Sequence, residues 1–451
     1  MRIAGNSFVG DRLLGPAGTG WVALDTAFPA EVNVRIAMIA YTRYESDARV
    51  RRAARALAER GHHVDFFAVS GGRTAAGGNE EFLRLRRLRM RRQHAAVTRY
   101  FFEYGLFFAW SLALVSILHM RRRYDVVYVH NMPNFMVFAG LVPKIGGAKI
   151  VLDVHDPAAE LLASIRGSDL PAWLRLLARA EERASLSFAD AVVTVNEPMR
   201  KRMSTMFRGP VTVVMNLPDT VVTEPADASS VGPVGPDRIV YSGSIAHRNG
   251  VDLVVKALSL LEGEFPLLRL RVVGDGPAAE SVRGLAKELG VADRVEFVGF
   301  VTNDEVPPLV SGAAAGISPQ RDDTFGSFVF SMKVAEYITL GLPVICSAIP
   351  TMRHYFSDDE LIFFEPGSAD DLARAIRDLL NDPALAAKRA VRSRMRLDRL
   401  DWPAQKEALV HTVETLTGTG EPDPHGGTEP VRAPLAAVGS ARRAPGGRTR
   451  R

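Results

Sequence analysis

Short apolar runs alternate with stretches of helical spacing along most of this chain, and this alternation constrains the fold more than any other feature. The runs at residues 34–41, 63–69 and 149–153 each have the length of one strand. Between the first two, residues 47–60 carry apolar side chains on one helical face and are followed by Gly61, where a helix C-cap glycine belongs. Strands and helices that alternate at this spacing predict a parallel sheet covered by helices on both faces.

The same alternation occurs a second time after an interruption. Residues 223–237 are rich in proline and glycine and are predicted to form a linker. The alternation restarts at residue 238, and 451 residues are too many for one ordinary hydrophobic core. We therefore predict an α/β protein of two Rossmann-like, doubly wound parallel-sheet domains with a cleft between them. The N-terminal domain is predicted over residues 33–222 and the C-terminal domain over residues 238–397.

The two ends of the chain differ in composition from these domains. Residues 1–30 are rich in glycine and lack an apolar core behind their charges, so a flexible extension is expected there rather than a signal peptide. Residues 418–451 are dominated by Gly, Pro, Ala and Arg and are predicted to form a disordered basic tail. The single cysteine, Cys346, excludes an intramolecular disulfide and is interpreted as a small buried hydrophobic residue.

Basic residues flank one uncharged segment of the first half. The formal net charge is +5, and seven arginines between residues 84 and 99 precede an uncharged run at residues 104–120, which Arg121, Arg122 and Arg123 follow. A membrane-spanning helix needs about 20 apolar residues, so the length of this run is borderline, and the expected excess of Lys and Arg on one side is absent. A buried or interfacial helix is therefore preferred to a membrane span. Two interpretations remain open: a core helix after a solvated basic loop, or a helix that lies on an anionic bilayer through residues 84–123.

Three predicted strand ends in the second half carry residues suited to an anionic nucleotide. Ligands of open α/β sheets bind beyond the carboxyl ends of the strands. Glycine lets backbone N–H groups approach a phosphate, arginine and lysine neutralise a diphosphate, and a glutamate can accept hydrogen bonds from both ribose hydroxyls. Residues three apart share one face of a helix, as Lys333 and Glu336 do. The predicted nucleotide-binding residues are Gly243, Ser244, Arg248, Gly274, Asp275, Gly276, Lys333 and Glu336.

One of these segments also permits a second interpretation. Gly274, Gly276 and Ala279 match the G-x-G-x-x-A fingerprint of dinucleotide-binding proteins, and Glu296 lies where that motif requires an acid, about 20 residues further on. An NAD(P)-dependent oxidoreductase is therefore an alternative. It does not account for the basic residues of the neighbouring segments.

Taken together, these segments resemble glycosyltransferase family 4 (group 1), a retaining group with the GT-B fold. The likeness covers roughly residues 33–417 and is strongest in the second half. The closing segment, residues 398–417, resembles the terminal GT-B helix that crosses back to the N-terminal domain. The segments that carry the likeness are residues 243–252, 272–277, 295–299, 333–337 and 341–344 in the second half, and residues 124–133, 152–156 and 215–219 in the first.

The resemblance implies a role for each matching residue. Glu336 matches the second carboxylate of the family's paired-glutamate motif, which holds the donor ribose, whereas Phe328 occupies the place of the first glutamate. Which group positions the transferred sugar is therefore left open. His155 resembles the family histidine that contacts the donor sugar, and His130 and Asp156 are expected on the acceptor side.

The activity that the resemblance implies is transfer of a sugar, with retention, from a UDP- or GDP-type nucleotide sugar. The expected acceptor is a glycan or lipid-linked glycan of cell-envelope or exopolysaccharide synthesis. No Asp-x-Asp metal motif is evident, so neither a divalent metal nor a cofactor is expected. A cytoplasmic enzyme without a nucleic-acid partner is expected. Whether it is also peripheral at the inner face of the plasma membrane depends on which of the two interpretations of residues 84–123 holds. A catalytically inactive binding protein on the same fold is a third alternative, since Phe328 removes one carboxylate.

Overall fold

The computed structural model describes residues 33–70, 82–90, 97–166, 171–217, 237–302, 304–323, 325–400 and 402–419. The predicted N-terminal extension, nearly all of the predicted linker and the predicted tail from residue 420 lie outside the described residues.

A sheet of seven parallel strands forms the centre of the first half. Their order across the sheet is third, second, first, fourth, fifth, sixth and seventh, and every neighbouring pair is parallel. Most of these strands are apolar on both faces because helices cover both sides of the sheet. The strands are β1 (Arg35–Ile39), β2 (His63–Ser70), β3 (Leu83–Arg89), β4 (Val126–His130), β5 (Lys149–Val154), β6 (Ala191–Thr194) and β7 (Val211–Val213).

The arginine-rich segment before the uncharged run forms strand β3 at one edge of this sheet, not the solvated loop considered above. It pairs with β2 over seven residues, from Leu83 to Arg89. Leu83 is buried, while the arginines are exposed or half-buried. Charged side chains are common on edge strands, where they oppose pairing with another chain.

Six helices accompany the strands of the first half in the described part of the chain. The first begins after Asp47, whose carboxylate accepts a hydrogen bond from the backbone N–H of Val50, as an N-cap residue should. The helices are α1 (Ala48–Glu59), α2 (Val97–Arg122), α3 (Leu141–Ile145), α4 (Ala158–Arg166), α5 (Ala172–Phe188) and α6 (Glu197–Ser204).

Helix α2 has one buried face and one exposed apolar face. Phe107, Val115 and Leu118 pack into the core of the first half, whereas Phe102 and Met120 are each 71% exposed. By length and composition alone, Phe102–Arg122 could cross a membrane, and a third of its most apolar stretch is buried in the protein. One buried face and one exposed apolar face fit both a core helix and a helix that lies on a bilayer, so that choice remains open.

A second parallel sheet of six strands forms the centre of the second half. Its order is tenth, ninth, eighth, eleventh, twelfth and thirteenth in chain numbering. The strands are β8 (Arg238–Ser242), β9 (Arg269–Val273), β10 (Val295–Gly299), β11 (Ala315–Ser318), β12 (Val344–Ser347) and β13 (Ile362–Phe364). The accompanying helices are α7 (Val251–Leu260), α8 (Ala279–Glu288), α9 (Val306–Val310), α10 (Met332–Thr339), α11 (Pro350–Tyr355), α12 (Ala369–Asn381) and α13 (Pro383–Leu397). The predicted pair of doubly wound sheets is confirmed.

The last helix, α14 (Trp402–Thr417), returns to the first half of the chain. It packs against α1 and against strands β5, β6 and β7, and Thr412 donates a hydrogen bond to Thr212 of β7 at 2.8 Å. Gly418, with a φ of 70°, and Thr419 end the helix, since the N–H of Thr419 donates to the carbonyl of Glu414. These two residues, predicted to belong to the disordered tail, form the C-terminal cap of α14.

The strand order reverses once in each sheet, between β1 and β4 and between β8 and β11. The crevice at such a switch point is where open α/β sheets bind ligands. Within the described part of the chain, hydrogen bonds join helices and loops of the two halves beyond the strand ends. They are Ser164 Oγ to Asp323 Oδ2 at 2.5 Å, Asn196 Nδ2 to the carbonyl of Phe328 at 2.7 Å, and Glu197 N to Tyr355 Oη at 2.9 Å. The two crevices therefore meet at a common cleft.

Candidate active site

The glycines after β8 and β9 shape the second half's side of the cleft. Gly243 and Gly274 have φ values of 126° and 133°, which disfavour any residue with a side chain. A Cβ atom on Gly274 would collide with the carbonyl of Gly243, and one on Gly276 would lie 2.5 Å from the carbonyl oxygen of Ile245. These glycines are therefore required for two strand-end loops to pack against each other.

The backbone N–H groups of the same glycines are already used within the protein. Those of Gly243 and Gly274 donate to the carbonyls of Val273 and Gly299, and that of Gly276 donates to the carboxylate of Asp275 at 2.7 Å. Ser244 differs, because its N–H has no hydrogen-bond partner among the described residues. In this loop Ser244 is thus better placed than the glycines to donate to a phosphate.

Arg248 lies in a short 3-10 turn held against the loop after β11. Its carbonyl accepts a hydrogen bond from the N–H of Arg321, whose guanidinium forms a two-point ion pair with Asp252. The guanidinium of Arg248 lies 5.5 Å from the ring centre of Phe325. It has no hydrogen bond or ion pair with another described residue. The turn is anchored while its cationic group is left available.

Lys333 and Glu336 lie on α10, which begins directly after the loop that follows β11. The Lys333 ammonium lies 5.5 Å from the ring centre of Tyr241, and a Cβ on Gly243 would be 3.1 Å from Lys333 Cε. Neither charged group has a hydrogen bond or ion-pair partner in the described part of the chain. Burial lowers the pKa of Lys333 and raises that of Glu336, and their mutual attraction opposes both shifts.

The first half's side of the cleft is built around one buried carboxylate, that of Asp153 at the end of β5. Arg49 Nη2 lies 2.6 Å from Asp153 Oδ1, and Tyr128 donates to Oδ2 at 2.9 Å. His130 Nδ1 and His155 Nε2 lie 3.2 and 3.3 Å from the two carboxylate oxygens. Burial by itself would raise the pKa of Asp153, but Arg49 and the two imidazoles hold that pKa well below its ordinary value.

Asn131 fixes the loop that carries His155 and Asp156. Its side-chain oxygen accepts from the backbone N–H of His155, and its side-chain nitrogen donates to the carbonyl of Asp156, both at 2.8 Å. With its Nε2 directed at Asp153, the 20% exposed ring of His155 keeps Nδ1 for other partners. The loop therefore holds His155 in a defined orientation at the edge of the cleft.

The carboxylate of Asp156 lies on the opposite side of the cleft from Arg248. Burial raises the pKa of Asp156, while the charges of His155 and Arg248 act in the opposite direction. Asp156 has no hydrogen bond or ion pair through its carboxylate among residues that the structure describes. The expected acceptor-side residues His130 and Asp156 thus differ, because His130 is buried beside Asp153 and Asp156 is available.

A metal ion fits the cluster of His130, Asp153 and His155 poorly, although their ligand atoms all lie within 4.8 Å of one another. One oxygen of Asp153 is already bonded to the Arg49 guanidinium and the other to Tyr128. A cation bound there would face a buried guanidinium, whose charge repels it.

Glu296 does not occupy the position that the dinucleotide-binding interpretation requires. Its carboxylate is bonded to Arg238 at 2.6 Å and to Arg271 at 3.0 Å. It is the second residue of β10, far from the carboxyl end of that strand, where a ribose-binding acid would lie. The oxidoreductase alternative therefore lacks the acidic residue that would bind the ribose.

Phe328 contacts the first half of the chain. It occupies the place of the family's first glutamate. Its ring packs against the core of the first half and lies 5.8 Å from the guanidinium of Arg202. Asp323, which the sequence interpretation missed, lies in the same loop and accepts from the N–H groups of Phe325 and Gly326. Asp322 and Asp323, shortly before Gly326, could have indicated this turn in the sequence, since aspartate and glycine are typical of turns.

The chain matches known families along most of its length. A family described as "Glycosyl transferases group 1" matches residues 223–396, and one described as "Glycosyl transferase 4-like domain" matches residues 46–217. The first match contains all the residues predicted to bind the nucleotide, and the second contains His130, His155 and Asp156.

The chain also resembles individual proteins and solved structures. It is 27% identical over 336 residues to a 2-deoxystreptamine glucosyltransferase of Streptomyces kanamyceticus, covering 68% of this chain and 81% of that one. It is 27% identical over 277 residues to a GDP-mannose-dependent alpha-(1-6)-phosphatidylinositol monomannoside mannosyltransferase of Mycolicibacterium smegmatis, covering 58% and 72%. A sucrose-phosphate synthase structure from Thermosynechococcus elongatus aligns with a TM-score of 0.68 at 21% identity, covering 86% of this chain and 100% of that chain.

Proposed function

We propose, since this chain belongs to the group 1 glycosyltransferases and has the GT-B fold, that it transfers a sugar from a UDP- or GDP-type nucleotide sugar with retention. The observation that carries the proposal is the set of three half-buried, unpaired charges on the second half's side of the cleft. Arg248 and Lys333 would neutralise the diphosphate, and Glu336 would accept from the ribose hydroxyls. Each charge-assisted hydrogen bond contributes about 1.5–3 kcal/mol.

The transferred sugar would lie between these charges and the loop after β5. His155, oriented by Asp153, would contact the sugar, and Asp156 would bind a hydroxyl of the sugar or acceptor. Both cations would stabilise the charge that develops on the leaving diphosphate. Retention would follow from attack on the face from which the diphosphate departs, without a protein nucleophile. No divalent metal is required in this scheme.

For the acceptor we propose a glycan or lipid-linked glycan used in envelope or exopolysaccharide synthesis. Of the two relatives, one is named for a 2-deoxystreptamine acceptor and the other for a phosphatidylinositol mannoside. The exposed apolar face of α2, flanked by arginines, favours the lipid-linked class. The enzyme would act in the cytoplasm, touching the inner face of the plasma membrane through residues 84–123.

Donor turnover tests this proposal. The purified protein is incubated with UDP-glucose, UDP-N-acetylglucosamine or GDP-mannose in the presence of EDTA, and slow release of the free sugar is followed by mass spectrometry. We expect hydrolysis of one donor, and about 10- to 100-fold slower hydrolysis by the Glu336→Ala variant at a donor concentration well below saturation. Donor binding without any turnover, with or without added Mg²⁺, would support the inactive binding protein instead. Turnover abolished by EDTA and restored by Mg²⁺ would contradict metal independence.

A further inference from the structure

A cavity of about 320 Å³ lies at the amino ends of β1, β2 and β3, the end of the first sheet away from the cleft. Its position separates it from every residue of the candidate active site. The last turn of α2 forms one wall. The residues that define its chemistry are Arg35, Asp65, Phe82, Arg84, Arg122 and Tyr124.

The acidic group of this cavity is already neutralised. Asp65 Oδ1 lies 3.2 Å from Arg86 Nη2, and Asp65 Oδ2 accepts from the hydroxyl of Tyr124 at 2.9 Å. The buried Tyr124 stays a neutral donor at physiological pH, because burial and the nearby Asp65 raise its pKa. Among the described residues the carboxylate is paired with Arg86 and Tyr124 and not with the arginines that line the cavity.

Among the residues that the structure describes, two of those arginines have no hydrogen-bond or ion-pair partner for their guanidinium groups. Arg35 Nη1 donates to the carbonyl of Arg122 at 2.5 Å, which ties the end of α2 to β1. The guanidinium groups of Arg84 and Arg122, by contrast, have no hydrogen bond or ion pair within the described residues. The cavity thus combines excess positive charge with planar donor groups, the combination that binds the oxygens of a phosphate at two points.

We propose that this cavity binds the phosphate group of an anionic ligand, carried by a phospholipid headgroup or by a soluble phosphorylated molecule. Arg84 of β3 and Arg122 at the end of α2 would donate to the phosphate oxygens, and Phe82 would contact the carbon atoms next to the phosphate. The surroundings suit a lipid, since Met120 and Ile145 are 71% and 79% exposed and Arg121 and Arg123 are exposed as well. The lipid alternative rests on the membrane contact proposed above for residues 84–123. The phosphate site does not depend on the proposed sugar transfer, because its binding is measured without donor or acceptor.

The test uses the full chain, the double variant Arg84→Gln/Arg122→Gln and two probes. The first probe is vesicles of phosphatidic acid and phosphatidylcholine in equal parts, compared with vesicles of phosphatidylcholine alone by co-sedimentation. The second is glycerol 3-phosphate, titrated by calorimetry. We expect the double variant to bind the favoured probe about 30-fold more weakly, since each basic residue near an anionic surface contributes about a factor of five.

A matched control removes two exposed, unpaired charges from the second half, as Lys287→Gln/Lys388→Gln, and is expected to retain wild-type binding. If the protein binds the acidic vesicles and the double variant does not, the phosphate belongs to a lipid headgroup. If this dependence on the two arginines is seen only with glycerol 3-phosphate, the phosphate belongs to a soluble molecule. If the double variant binds both probes as the control does, or if wild type binds neither, the proposal is overturned. Arg84→Gln alone, at an exposed position of β3, repeats the test should the double variant fold poorly.

Discussion

Charged side chains on the two sides of the cleft differ in whether the protein itself supplies their hydrogen-bond and ion-pair partners. On the first half's side, Asp153 is buried and bonded to Arg49, Tyr128 and two histidines. On the second half's side, the charges on α10 and at Arg248 have no partner among the described residues. The first group is complete within the protein, whereas the second has the unpaired charges that the proposed donor binding requires.

This difference separates a scaffold from a binding surface. A buried ion pair that loses one member leaves a desolvated charge, so its residues are needed for folding. A half-buried charge without a partner lowers stability by itself, and its removal spares the fold but reduces ligand affinity. Substitutions on the two sides should therefore change different measurements.

The largest effect is expected for Asp153→Asn, which leaves Arg49 buried without its counter-charge. The free energy of unfolding should fall by about 3–5 kcal/mol. Thermal and urea unfolding would measure it. Arg377→Gln is the control, because its pair with Glu264 is solvent-exposed and should contribute little. A loss for Asp153→Asn no greater than that of the control would contradict the scaffold role.

A smaller effect, on affinity alone, is expected for Glu336→Ala. Loss of the carboxylate should weaken binding of the preferred nucleotide by about 10- to 100-fold while the thermal midpoint stays unchanged. Calorimetric titration with UDP and GDP measures the affinity, and Thr339→Ala on the same helix is the control. Unchanged affinity would refute the ribose-binding assignment.

Lys333→Met sharpens the comparison further, since it removes a desolvated ammonium group and keeps the apolar part of the side chain. We expect about tenfold weaker nucleotide binding and a thermal midpoint equal to or above that of the wild type. Lys256→Met, at an exposed position on α7, should change neither quantity. A clear loss of stability in Lys333→Met would show that Lys333 belongs to the scaffold instead.

The smallest effect is expected on how stability depends on pH below neutrality. Burial lowers the pKa of His130 in the folded protein. Below about pH 6.5, His130 is therefore protonated in the unfolded chain while it remains neutral in the folded one. Stability should therefore fall as the pH drops from 6.5 toward the pKa of the folded state. The thermal midpoint of His130→Asn, followed between pH 7 and pH 5, should depend less on pH than that of the wild type. Identical slopes would contradict the buried, neutral state of His130.

Local signals made the positions of the candidate donor-binding residues on the second half's side predictable. Lys333 and Glu336 share one helix, and Arg248 follows a strand end by a few residues, so spacing alone brings them to the same edge of the sheet. Glycine spacing was less informative. It indicated phosphate contact, whereas the N–H groups of Gly243 and Gly274 are bonded to neighbouring backbone.

The scaffold on the first half's side could not be predicted in this way. Arg49 and Asp153 are 104 residues apart, and nothing local indicates that the guanidinium on α1 reaches the end of β5. The contact of Phe328 with the first half likewise depends on how the two halves meet. Strand β3 was missed because its arginines hide the apolar pattern that marks the other strands.

The sequence by itself determined the two parallel sheets, because hydrophobic periodicity follows directly from strand and helix geometry. It also determined the family and which charged residues to predict as nucleotide ligands. Only the tertiary structure decided which charges are paired and which remain free, because pairing depends on distances between segments remote in the chain. That decision turns Asp153 into part of the scaffold and leaves Arg248, Lys333 and Glu336 available to a ligand.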